Sequence, residues 1–169
     1  MLSSHMLYPV SLRAKTLEAN ATIFLEYLQP IKPLVMENTY LRQAIGIDIG
    51  SKKLQCRHGV LDSQMKIHLK ASKSISNHPR EFDQLQQWIQ RHSGKYVGVK
   101  LIFIIEATGT YHEELLYFLT DLGYSVCVTL PKNASHFAKS LNTKTKNDQV
   151  DAGILARMGL ERELTPWQA

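Results

Sequence analysis

The chain has 169 residues, enough for one domain with a hydrophobic core and an appendage. Its 44% hydrophobic and 21% charged content is that of a globular chain and excludes a low-complexity one. A formal net charge of +5 suits a polyanionic partner. The lack of a signal peptide, and of any apolar run near the roughly 20 residues a bilayer requires, points to a soluble cytoplasmic protein.

Residues 1–40 form an N-terminal extension, in which Leu12, Leu17, Ile23, Phe24, Tyr27 and Leu28 predict a helix from about Ser11 to Leu28. Pro30 and Pro33 stop it. From Ala44 the pattern becomes denser. AIGIDIG is a short strand interrupted by one acid. Leu54, Cys56, His58 and Val60 then alternate with polar neighbours, and after a turn at Asp62-Ser63 so do Met65, Ile67 and Leu69. These runs predict a three-stranded antiparallel meander. A polar segment through Asn77 leads to Pro79 in the first turn of a helix, which carries Phe82, Leu85, Trp88 and Ile89 and ends at Gly94.

VKLIFII is a continuous apolar run, as expected of a strand covered on both faces. Thr110 and Glu113 match a capping box for a helix closed by Gly123. YSVCVTL is a further strand, Pro131 opens a short helix through Phe137, and Asn147 caps a final helix to about Leu160. The order predicts an α/β fold with a mixed five-stranded sheet and helices on both faces. Cys56 and Cys127 sit in strand alternation and read as reduced core residues.

Four acids stand out. Asp48 interrupts an apolar strand, where a carboxylate must be paired, hydrogen-bonded or metal-bound. Glu106 closes an apolar strand, at the end that faces the crevice of an α/β sheet. Asp148 and Asp151 lie three apart, so both project from one helix face. An acidic first turn is also what the helix dipole favours, so this pair is informative only together with the others. Four oxygen ligands without cysteine suit Mg²⁺ or Mn²⁺, and two such ions about 4 Å apart act on phosphodiesters. Lys132, Lys139, Lys144 and Lys146 occupy an acid-free stretch just before the last helix, a run that fits contact with a nucleic-acid backbone and equally a solvated loop. Tyr111 and His112 adjoin Glu106 as weaker candidates.

The motifs GIDIGSKK, IEATGTYHEELLYFLTDLGYSVCVTLPKNASHFAKS and KTKNDQVDAGILAR, in that order, resemble the N-terminal domain of the DEDD transposases, insertion-sequence enzymes related to the Piv DNA invertase. The resemblance covers about Ala44 to Leu160. It implies a RuvC-like, ribonuclease H-type fold, and a metal tetrad of Asp48, Glu106, Asp148 and Asp151. It further implies DNA as substrate, a guide (bridge) RNA in some members, and a homo-oligomer at full length. Asn147 stands where the family usually has Thr, and either residue caps a helix. Family members continue into a second half with a catalytic serine. The expectation is therefore a catalytic domain over 41–162, with 163–169 a linker to an absent half that full strand exchange needs. The competing readings are a Holliday-junction-type nuclease and a nucleic-acid-binding remnant that does not cut.

Overall fold

The computed structural model describes residues 39–107, 109–141 and 147–168, so the helix expected over 11–28, Lys144 and Lys146 lie outside the described residues. β1 (Tyr40–Ile49), β2 (Lys53–Asp62) and β3 (Ile67–Ser76) form the expected meander. A 3-10 turn over Pro79–Glu81 leads into α1 (Phe82–Ser93). β4 (Leu101–Glu106), α2 (Glu113–Asp121), β5 (Ser125–Thr129), α3 (Pro131–Ser140) and α4 (Asp148–Glu161) then alternate. The five strands make one sheet in the order β3-β2-β1-β4-β5. β1–β2 and β2–β3 pair antiparallel, and β4 is parallel to both β1 and β5.

The sheet is covered on both faces, as the double-sided apolar run of β4 demands. Phe103 and Ile105 join Ile45, Ile47 and Ile49 beneath α1 and α2, which supply Leu85, Ile89, Leu115 and Leu119. Ile104, on the other face, packs with Ala44, Leu61, Leu155 and Leu160 under α3 and α4. Cys56 and Cys127 are buried free thiols, and burial pushes Cys56 up to about 12, so it stays a neutral packing group.

Three local expectations are corrected. Met65 is not in a strand but in the β2–β3 turn, at φ 61°. There Asp62 accepts from the Gln64 and Lys66 amides at 2.9 Å each and from His68 Nε2 at 2.7 Å. The His68 hydrogen bond is the main reason the Asp62 carboxyl is held below its ordinary range. β3 continues through the polar stretch to Ser76, because an edge strand needs only one hydrogen-bonded neighbour and can leave one face in water. The Thr110–Glu113 capping box does not form. α2 begins at Glu113 with His112 as a cap that makes no side-chain bond, and the Thr110 carbonyl accepts from the Glu113 amide at 3.2 Å.

The approach of α4 to β1 depends on Gly46. A Cβ there would lie 2.2 Å from both the Ala152 carbonyl oxygen and the Ala156 amide nitrogen, so only glycine lets the helix backbone rest on the strand. Gly153, on the same helix, has 3.5 Å to its nearest neighbour, Leu69 Cδ1. Gly46→Ala is expected to cost about 3 kcal/mol or more, at the upper end of overpacking effects. Gly153→Ala should stabilise by up to about 1 kcal/mol through helix propensity. Urea unfolding of the two variants checks the contrast.

Buried polar residues also tie β1 to the loop before β4. Gln43 donates to the Val99 and Tyr96 carbonyls at 2.9 and 3.2 Å, and its Oε1 lies 3.3 Å from His58 Nε2. That contact makes Nε2 the protonated nitrogen and leaves Nδ1 buried with no hydrogen-bond partner. Burial first, then the charges of His92 and Lys70, pushes His58 down from 6.5 to about 4. The unfolded chain takes up the proton near pH 6.5, so this stability is complete above that pH and is lost as pH falls toward 4. The urea midpoint should fall across that window, and His58→Gln, which removes the titrating group, should flatten the fall.

Candidate active site

Strand register brings the first two acids together. β1 and β4 run parallel with Ile47 opposite Ile105, and one further residue sets Asp48 beside Glu106. Both are partly buried, and both lie on the face that Ala44 and Ile104 present to α4. Glu106 is also in register with Thr129 at the end of β5.

α4 brings the second pair to the same edge. Ala152 packs at Gly46 and Gly159 packs at Ala44 and Ile104, so the helix runs antiparallel to β1. Its N-terminus therefore reaches the end of the sheet that carries Asp48 and Glu106. At 100° per residue, Asp148 shares the sheet-facing stripe of Ala152, Leu155 and Gly159. Asp151 is turned about 60° away, toward the side where Val150, Ile154 and Met158 meet Phe137 of α3. Asn147 caps the helix as expected, accepting from the Val150 amide at 2.9 Å.

The structure thus brings together the elements that carry the four acids. Among the described residues, however, no three of His, Cys, Asp and Glu stand close enough to hold a metal ion. Among the described residues Asp148 has a cation beside it, Lys53, with Nζ 3.8 Å from Oδ2. With side-chain exposures of 54% and 65%, this pair contributes little to stability and can rearrange. The donor set, all oxygen and gathered at one edge, fits a hard cation in its chemistry and backbone placement.

Lys132 and Lys139 are exposed on α3. Lys132 lies in the first turn after β5, near the acidic edge, and Lys139 is about 10 Å further along the helix. Two residues near the edge have no distinguishing sequence signal. Lys53 is one. Asn77 is the other: its Nδ2 donates to the Gly50 carbonyl at 3.0 Å and to the Tyr111 carbonyl at 3.1 Å. It ties the turn after Asp48 to the loop after Glu106. Tyr111 is exposed, whereas His112 is partly buried with an unpartnered Nδ1.

The fold has solved counterparts. RuvC from Thermus thermophilus superposes with a TM-score of 0.51 at 14% identity, covering 74% of this chain and 99% of that one. The structure of T. thermophilus RuvC in complex with Holliday junction substrate gives 0.51 and 14%, covering 75% and 99%. The fold is therefore the RuvC-like form of the ribonuclease H architecture. At the level of sequence, the model of the IS110-type DEDD transposases, a transposase family, matches residues 45–169, and the chain belongs to that family. It is 38% identical over 95 residues to the pilin gene-inverting protein of Moraxella bovis, and 37% over 95 to that of Moraxella lacunata. Each match covers 56% of this chain but 29% of the relative, so the chain spans under a third of their length.

Proposed function

We propose that this chain is the metal-binding catalytic domain of a DNA recombinase, acting on DNA phosphodiesters during transposition. The observation that supports this best is that the ends of β1 and β4 and the start of α4, the elements that carry the four acids, lie at one edge of a RuvC-like sheet. Asp48, Glu106, Asp148 and Asp151 would hold divalent magnesium or manganese, as two ions. Such ions activate an attacking oxygen and stabilise the leaving one. The protein's own part is placement. Gly46 fixes how far α4 reaches, and Asn147 holds its first turn in helical form.

Lys132 and Lys139, with Lys144 and Lys146, would hold the DNA backbone beside the acids and offset their repulsion of phosphate. A guide RNA would engage the same lysines through the same backbone chemistry. Complete strand exchange would call on parts of the longer relatives that this chain does not cover.

Thermal unfolding with Mg²⁺ or Mn²⁺ and duplex DNA tests the reading. At about 100 times Kd, a ligand that binds only the folded state adds about 2.7 kcal/mol, a Tm rise on the order of 10 °C for a domain of this size. The rise is expected in the unaltered protein and should vanish in Asp148→Asn/Asp151→Asn. A metal-independent Tm in the unaltered protein counts against the proposal.

A further inference from the structure

The chain's positive charge is concentrated in the β2–β3 hairpin and its flanks rather than in the lysine-rich stretch before α4. Between Gly50 and Arg80 there are seven lysines and arginines against one acid, Asp62, in a chain whose net charge is +5. Asp62 is already engaged by His68 and the hairpin turn. Nothing acidic within this segment is left to neutralise the cations.

The register decides which face carries the chemistry. Lys53 pairs with Ser76, Gln55 with Ser74 and Arg57 with Ser72. Gln55 also pairs with Asp48, so this row lies on the same face as the acidic edge. Ser72, Ser74 and Ser76 are all exposed, while Ile75 between them turns into the opposite core. The Arg57 stem lies against Gly153 of α4, and Arg57 lines a cleft of about 340 Å³ with Asn147 and Gln149. Lys53 stands at the other end of the row, 3.8 Å from Asp148.

Protection of a sheet edge would be served by lysine alone. Three serines on one face are different: they are small hydroxyl donors that let a strand of phosphates come close, with Lys53 and Arg57 supplying charge. Gln55 is buried and takes no part; resting on the reading of this edge as a DNA-processing site, we propose that the exposed serine face of β3, flanked by Lys53 and Arg57, is a backbone track. It binds the phosphates of the substrate DNA and leads the strand from the β3 edge to the four acids. The contacts are to backbone, so the track is indifferent to base sequence.

The test is fluorescence-anisotropy titration of the protein with a short duplex DNA over a salt series, with Ca²⁺ as the divalent ion. Each lost phosphate contact lowers the slope of log K against log salt by about 0.9. Lys53→Gln/Arg57→Gln should therefore lower it by about 2 and weaken binding at least about tenfold. Ser74→Asp, an exposed change that leaves both cations in place, should weaken binding at every salt concentration. Lys73→Gln alters charge on the same strand but on the opposite face, and should bind like the unaltered protein. Unchanged slope and affinity in the double variant, or equal loss in Lys73→Gln, overturns the track while leaving the DNA reading intact. Failure of the unaltered protein to bind duplex DNA overturns both.

Discussion

The close packing of α4 on β1 is the constraint on which the rest of this structure depends. Backbone meets backbone at Gly46, against Ala152 and Ala156, with Leu155 Cβ packed beside the contact. That contact fixes the helix in height above the sheet and in position along the strand. A strand-end acid and a helix-start acid can share an edge only if both are fixed, because one residue of slip moves a helical side chain by 1.5 Å and 100°. The small residues on both sides therefore act at a distance. They carry no chemistry, yet they determine where Asp148 and Asp151 stand relative to Asp48 and Glu106.

The electrostatics follow the same geometry. Two of the acids gain from the positive end of α4, and Lys53 stands beside Asp148. Cations surround the edge on two sides, with Lys132 and Lys139 on α3 and the row from Lys53 to Arg57 on β2. A polyanionic strand crossing from one side to the other would pass over the carboxylates, and a divalent ion held there would offset their repulsion. No helix among the described residues is long and apolar enough to cross a membrane.

Much of the fold was legible because its signals are strong and local. The apolar run of β4 is buried on both faces, the Asn147 cap is in place, and α4 starts one residue beyond it. The acids could be picked out because a carboxylate inside or at the end of an apolar strand is costly and needs a reason. What could not be read depends on pairing and close approach. β3 runs through serines and lysines that carry no strand signal, and its length comes from β2 beside it. Gly46 looks like any strand glycine until α4 is set upon it. Asn77 becomes a tie between two loops only once both are adjacent. Thr110 and Glu113 had the right spacing for a cap, but the chain closes a turn there and α2 starts later.

The central claim is that Asp48, Glu106, Asp148 and Asp151 form one divalent-metal site. Anomalous diffraction from crystals of the protein grown with Mn²⁺ and duplex DNA tests it most directly. The account predicts manganese peaks at the β1–β4 edge, within about 2.0–2.2 Å of carboxylate oxygens from both the strands and α4. Peaks confined to other surfaces, with Lys53 still paired to Asp148 and the edge empty, would contradict it.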